Sequence, residues 1–382
     1  MKILIDARMY GLENTGIGKY VMELLANIID VDSSNHYFII LRDKYYKELS
    51  FPDNFKKIKG DFRQYSFSEQ LLIPKIIREV KPDLVHFPHF NVPVLFKGNY
   101  VVTIHDLLMH KQKGFEATTL NPFVYLIKRL AYRFVFDAGV RRAKIIIVPS
   151  KTVKKELLGY YQIPEEKVIV TYEGVSELAG NISISEVVEK YKVENPYFIY
   201  TGNAYPHKNL KRLIEAVVSL NKGREEKVSL VIISARTFFV KKLAKLVEKL
   251  DAKPYVKLLG FLPDSEVKAL YKGSVGFIFP TLSEGFGIPG LEAMQTGTLV
   301  LCSQIPVLEE VYKDRAIYFN PFDFTSITTA MEQVLDISTE EREARVAASL
   351  DFVKRYSWLK MAQETLIIYN KVQEISEVSV QR

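Results

Sequence analysis

Val275-Gly276-Phe277-Ile278-Phe279-Pro280-Thr281-Leu282-Ser283-Glu284-Gly285-Phe286-Gly287-Ile288-Pro289-Gly290-Leu291-Glu292 reads as three parts in succession. Residues 275–280 are apolar and strand-like, Thr281 and Ser283 break the run, and Pro289 suits the first turn of a helix. A strand, a glycine turn and a helix N-terminus make a corner that accepts anions, because unpaired backbone N–H groups point outward there. The flanking carboxylates, Glu284 and Glu292, fit a ligand that also carries hydroxyls, from which they accept hydrogen bonds. Phosphate with hydroxyls at both ends is the chemistry of a nucleotide sugar.

The same strand–helix alternation extends in both directions. Candidate strands in the first half are 2–6, 37–41, 84–87, 100–104 and 144–148, with helical stretches such as 19–29 and 68–80 between them. The second half repeats the pattern with strands at 197–201, 228–233, 256–259, 275–279 and 299–302, and helices at 210–220, 240–250, 264–271 and 290–295. Such alternation predicts parallel sheets covered on both faces, an α/β protein of two Rossmann-like domains. The boundaries expected are 1–175, a polar linker at 176–196, and 197–355. An amphipathic tail at 356–378 carries the only tryptophan, Trp358.

Composition sets the outer limits. A chain of 382 residues exceeds one ordinary core. No apolar run reaches the ~18 residues of a spanning helix, and Asp6 comes too early for a signal peptide. Cys302 stands alone, which excludes an internal disulfide and fits a reducing cytoplasm. Net charge is +7, and the first 180 residues carry 26 Lys+Arg against 20 Asp+Glu. A basic first half suggests an acidic partner such as anionic lipid, a lipid pyrophosphate or an acidic glycan. No nucleic-acid-binding motif is present.

Four further stretches bear chemistry. Thr15-Gly16-Ile17-Gly18-Lys19-Tyr20 places two glycines before the first helix, which lets backbone approach a ligand or simply makes a turn. Val101-Val102-Thr103-Ile104-His105-Asp106 delivers a His-Asp pair at the carboxyl end of a strand, where ligands bind in open parallel sheets; the plainer role is a helix cap. Thr201-Gly202-Asn203-Ala204-Tyr205-Pro206-His207-Lys208-Asn209 sets a lysine at a helix start, against the macrodipole, a conflict that a bound anion relieves. Residues 120–144 mix Phe123, Tyr125, Leu126, Leu130, Tyr132, Phe134 and Phe136 with Lys128, Arg129, Arg133, Arg141 and Arg142. The favoured reading there is a helix covering a sheet with a solvated basic face; the other is a helix lying on an anionic membrane.

Together these residues resemble glycosyltransferase family 4, the retaining enzymes of GT-B fold. The likeness runs through the opening glycines, Thr103 to Leu107, Ile147 to Lys151, Gly202 to Asn209, the Glu-x7-Glu motif within Pro280 to Met294, and Ser357-Trp358. It implies two Rossmann-like domains facing across a cleft, with the C-terminal helix crossing back to the first. By the same resemblance, His105, Lys208 and Glu284 are catalytic and Asp106 supports His105. Glu284 contacts the sugar, Gly285, Phe286, Gly287 and Ile288 present backbone N–H groups, and Glu292 holds the ribose. Lys208 neutralises the diphosphate, and Gly16 and Gly18 approach the phosphates and the acceptor. Where many members carry an arginine after the glycine, this chain has Asn203 and Ala204. His207 is the expected partial substitute.

The family also implies transfer of a hexose with retention. The stretch Leu84 to Pro93 leans the donor toward GDP-mannose and the acceptor toward a glycan or lipid-linked oligosaccharide, as in bacterial surface polysaccharide synthesis. No cofactor is expected. Asp30-Val31-Asp32, a decoy for a metal-holding Asp-X-Asp pair, reads as a polar helix exit, so metal independence is expected. The expected location is cytoplasmic, peripheral on the inner face of the cell membrane. Two rivals stand beside this reading: a nucleotide-sugar epimerase on the same fold, and a non-catalytic glycan-binding partner of a synthase.

Overall fold

The structure, a computed structural model, describes residues 1–62, 64–111, 121–234 and 237–380. The chain divides into two compact units, Met1–Gly174 with Ser357–Arg382, and Val175–Tyr356. Residues 176–196, expected as a linker, thus belong to the second unit. The helix Ile184–Tyr191 within them buries Val187, and Glu266 of the helix Asp264–Gly273 binds both Lys190 and Tyr191.

Among the described residues, the first unit holds a seven-stranded parallel sheet. Its strands are β1 Lys2–Asp6, β2 His36–Leu41, β3 Phe55–Lys59, β4 Leu84–Phe87, β5 Tyr100–Thr103, β6 Ile145–Val148 and β7 Val168–Val170, in the order β3-β2-β1-β4-β5-β6-β7. β4, β5 and β6 are buried along their whole length, which is why they read as continuous apolar runs. The order reverses between β1 and β4, so a crevice opens at their carboxyl ends. The C-terminal helix Trp358–Val380 completes this unit by packing on the helix Thr15–Val31. Trp358, Met361, Thr365, Ile368 and Val372 are buried at helical spacing along it.

The second unit repeats the plan with six parallel strands among the described residues. These are β8 Tyr197–Thr201, β9 Ser229–Ile233, β10 Val256–Leu259, β11 Gly276–Phe279, β12 Val300–Ser303 and β13 Ala316–Phe319, ordered β10-β9-β8-β11-β12-β13. Its switch point lies between β8 and β11.

The strands that hydrophobic pattern alone missed, β3, β7 and β13, all lie at sheet edges. β3 is Phe-Lys-Lys-Ile-Lys, and lysines on an edge discourage pairing with other chains while hiding the strand signal.

Candidate active site

In the second unit, β8 and β11 end side by side and their loops are sewn together. After β8, Gly202 takes φ +140°, and the Tyr200 hydroxyl donates to the Asn203 carbonyl at 2.7 Å. Lys208 closes a short 3-10 turn, Pro206–Lys208, before the helix Leu210–Leu220. The Asn209 amide donates to the carbonyls of Pro280 (3.0 Å) and Pro321 (2.8 Å), and Leu282 N–H donates to the His207 carbonyl at 2.8 Å. The β8 loop is thereby fixed against the β11 loop that bears Glu284.

The result is an ion pair at the switch point. Lys208 Nζ lies 2.5 Å from Glu284 Oε1, with the two side chains only 11% and 14% exposed, and the ammonium sits 5.3 Å from the centre of the Phe279 ring. Such shielding strengthens the attraction well beyond that of a surface pair. Beside it, Gly287 caps the helix Ile288–Gln295 in the left-handed region, φ +111°. A Cβ on Gly287 would lie 2.6 Å from the Tyr312 hydroxyl, which donates to the Gly287 carbonyl. Both backbone angle and space therefore demand glycine there. Glu292 is half-buried farther along the same helix.

Two expectations for this half are modified. Asn203 turns its side-chain oxygen toward the Tyr205 N–H at 3.4 Å, so it closes its own turn. His207 is held below its ordinary pKa by burial and by the Lys208 charge, so it supplies a neutral imidazole where an arginine would supply charge.

In the first unit, His105 follows β5. Its Nδ1 lies 3.1 Å from Glu173 Oε1 and its Nε2 lies 2.9 Å from the Pro88 carbonyl. Burial works to lower its pKa, but the Glu173 hydrogen bond and charge outweigh this, with help from Pro88 and Asp106, and the net shift is upward. Both ring nitrogens then act as donors. The hydrogen bond expected of Asp106 comes from Glu173, and Asp106 adds charge only: its carboxylate accepts from the Leu108 N–H at 2.8 Å and caps the following turn.

Beneath His105 runs a buried polar chain. Tyr20 packs edge-on against His105 at 4.7 Å, and its hydroxyl lies 3.2 Å from Thr103 Oγ1. Thr103 Oγ1 is 2.9 Å from His86 Nε2, and His86 Nδ1 is 2.6 Å from the Tyr369 hydroxyl on the C-terminal helix. Burial and the nearby His105 charge push the His86 pKa down to about 3.

The two opening glycines are not in a turn. Gly16 and Gly18 lie in the first turn of the helix Thr15–Val31. A Cβ on Gly18 would stand 1.9 Å from the Gly11 carbonyl oxygen, so this glycine permits close packing. Gly16 is exposed, with open space where a Cβ would be. Asp32, in the Asp-X-Asp decoy, caps the other end of this helix and accepts from Ser34, Asn35 and Tyr37. Among the described residues, no cluster of three or more His, Cys, Asp or Glu is placed to hold a metal ion.

The basic aromatic stretch also departs from expectation. Leu120, where it begins, lies outside the described residues. The helix Pro122–Arg142 buries Tyr132, Phe136 and Val140, yet Phe123 is 71% exposed, Leu130 61% and Phe134 65%, and Leu126 and Ile127 are also exposed. Only its second half covers the sheet. None of the helices among the described residues is long and apolar enough to cross a membrane.

Comparison with known proteins places these features. Residues 16–177 match the model of Glycosyltransferase Family 4, and residues 183–349 match that of Glycosyl transferases group 1. The O-antigen chain mannosyltransferase RfbU of Salmonella typhimurium is 28% identical over 94% of this chain and 97% of its own length. O-antigen chain mannosyltransferase B of Escherichia coli is 25% identical over 97% and 99%. Among solved structures, sucrose-phosphate synthase from Thermosynechococcus elongatus superposes with a TM-score of 0.74 at 15% identity, covering 97% of this chain and 98% of that one. Anabaena HepE in complex with UDP and glucose gives 0.73 at 16% identity, covering 97% and 100%. At such identities the structural likeness establishes the fold, two Rossmann-like units of the GT-B class.

Proposed function

We propose that this chain, which belongs to glycosyltransferase family 4 and is a hexosyltransferase, moves mannose from GDP-mannose to a hydroxyl of a glycan or lipid-linked acceptor, with retention and without a metal. The observation that carries the reading is the shielded Lys208–Glu284 pair at the switch point, beside the left-handed cap at Gly287. A diphosphate offers Lys208 a stronger partner than one carboxylate, and the N–H groups of Gly285 to Ile288 add donors at the helix start. Once Lys208 turns to the phosphates, Glu284 is released to accept hydroxyls of the sugar. Glu292 takes the ribose. The names of the O-antigen relatives support mannose and a polysaccharide acceptor.

In this mechanism the leaving diphosphate develops charge, and Lys208 with the helix N-terminus stabilises it. The acceptor attacks from the same face, and the departing phosphate takes its proton. Glu284 positions the sugar and forms no bond to it. His105 uses both of its ring N–H groups to bond Glu173 and Pro88, so it does not act as a base.

The exposed apolar side of Pro122–Arg142 supports an anionic membrane surface as a further partner. At 100° per residue, Phe123, Leu126, Ile127, Leu130 and Phe134 share one arc, flanked by Arg129 and Arg133 on one side and Lys128 on the other.

The deciding experiment is a panel of nucleotide sugars, read by thermal stabilisation and by release of nucleoside diphosphate. GDP-mannose is expected to stabilise the protein most and to release GDP slowly without acceptor. An epimerase would instead yield an altered donor, and a binding partner would release nothing.

A further inference from the structure

Gly287 and Gly290 flank the start of the helix Ile288–Gln295, and both open toward one side chain. A Cβ on Gly290 would lie 2.3 Å from the Tyr312 hydroxyl oxygen, and one on Gly287 would lie 2.6 Å from it. The two glycines therefore form a socket for a phenol. Tyr312 fills it, fully buried, from the last position of the helix Pro306–Tyr312. That helix end is itself pinned. The Tyr356 hydroxyl donates to the Val311 carbonyl at 2.7 Å, and the Tyr318 hydroxyl to the Lys313 carbonyl at 2.5 Å. Tyr356 also sets its ring edge-on to Phe286, 5.5 Å away, on the loop that leads into the socket.

The helix start lacks what this phenol supplies. Its cap residue, Gly287, has no side chain to accept an N–H of the first turn, and Pro289 has no N–H to give. The Tyr312 hydroxyl donates to the Gly287 carbonyl, and the Gly290 N–H faces the same oxygen as a donor. A phenol oxygen can do both at once. Burial pushes its pKa well up, so it keeps the proton that it donates. A hydroxyl from a separate helix thus takes the place of a capping side chain. It does so from the inner side of the turn. An aspartate or serine at the cap would set its own oxygen among the first N–H groups, where it would compete with an anion.

We infer that Tyr312 is a positioning residue for the nucleoside diphosphate: its hydroxyl, seated between Gly287 and Gly290, holds residues 285–288 in the shape that presents backbone N–H groups to the phosphates. The inference rests on the glycosyl-transfer reading above. It also gives the two glycines a different task, which is to make room for a tyrosine beneath the turn while the phosphates lie on its outer side.

The test compares the full chain with its Tyr312→Phe and Tyr197→Phe variants. The second is a control that also deletes a buried hydroxyl: Tyr197 donates to the Leu270 carbonyl at 2.8 Å, from the end of β8 away from Lys208. Calorimetric titration with GDP, UDP and inorganic pyrophosphate reads affinity. Hydrogen exchange of residues 284–292, followed by mass spectrometry, reads the turn. Tyr312→Phe is expected to weaken whichever of these diphosphates the parent binds by about fivefold or more, and to speed exchange in 284–292. Tyr197→Phe is expected to lower the melting temperature and leave affinity alone. Gly290→Ala, whose methyl meets the hydroxyl, is expected to act like Tyr312→Phe and decides the matter if that variant does not fold. Parent-like affinity or parent-like exchange in Tyr312→Phe overturns the positioning role and leaves the transferase reading intact. Equal weakening in Tyr197→Phe also overturns it, because loss of stability would then be the cause. A parent that binds none of the three probes brings down the donor reading and the positioning role together.

Discussion

The Asn209 side-chain amide donates to the Pro280 carbonyl at 3.0 Å, and this contact joins the loop that carries Lys208 to the loop that carries Glu284. A second bond to Pro321 leaves the amide with no hydrogen to spare. Asn209→Ala would strand two buried carbonyls, at about 1–3 kcal/mol each if no water replaces the donor. It would also replace asparagine in a left-handed position, φ +59°. We expect lower stability in urea and a reduced kcat with the donor still bound. Unchanged kcat in a folded Asn209→Ala protein would show that the stitch does not set the geometry of the pair.

Lys208→Ala and Glu284→Ala should each lower turnover by at least about tenfold, or ~1.4 kcal/mol of barrier. Because the two side chains contact each other directly, the double variant should fall well short of the product of the single losses. Steady-state kinetics with GDP-mannose reads this, and fully multiplicative losses would mean the residues act apart.

Gly287→Ala should weaken donor binding and destabilise the unit, since a left-handed angle costs about 1–2 kcal/mol and the added methyl meets the Tyr312 hydroxyl. Removing that hydroxyl by Tyr312→Phe should make Gly287→Ala less damaging than it is in the parent. A denaturation cycle over the four proteins measures the coupling; strict additivity would rule out the steric account.

The pH dependence has a definite sign. His86 titrates near 3 when folded and near 6.5 when unfolded, so the unfolded chain takes up the proton first as pH falls. Its contribution is complete above pH 6.5 and declines toward pH 3, by up to about 1.4 kcal/mol per pH unit. His105 has the opposite sign: its folded pKa is raised, so its stabilisation is full below 6.5 and fades as pH rises through the folded value. Urea melts at pH 7 and pH 5 should show His86→Gln losing less stability over that step than the parent. Equal losses would mean His86 is protonated in the fold.

Sedimentation with vesicles tests the Pro122–Arg142 helix. Binding should rise with anionic lipid and fall with salt. Leu130→Ser with Phe134→Ser should cut it by at least about tenfold, since each inserted side chain contributes ~1.5–3 kcal/mol. Indifference to lipid charge would remove the membrane as a partner.

The central strands were legible because burial on both faces writes an unbroken apolar run, and the position of Lys208, Glu284 and Gly287 in loops after β8 and β11 was legible with them. Glu173 was not: it lies 68 residues from His105, beyond a three-residue edge strand that has little apolar signature. Tyr312 was hidden in the same way, since a hydrogen bond across 25 residues leaves no local pattern. On the Pro122–Arg142 helix, periodicity revealed an apolar arc but not which way it faced. Tyr132 and Phe136 turn inward and Leu130 and Phe134 outward, a choice made by the tertiary fold.

The hydrogen bond from His86 to Tyr369 spans 283 residues, from the fourth strand almost to the end of the chain. On the ribosome, the first unit emerges early but lacks the helix that closes its core, while the second unit has all its strands and helices by Tyr356. Synthesis therefore leaves the earlier half waiting on the later one, with the groove for Trp358, Met361 and Tyr369 uncovered until the helix Trp358–Val380 appears. A chain cut short before Trp358 would leave a finished second unit attached to an unsealed first one, which is the kind of surface that chaperones and proteases engage.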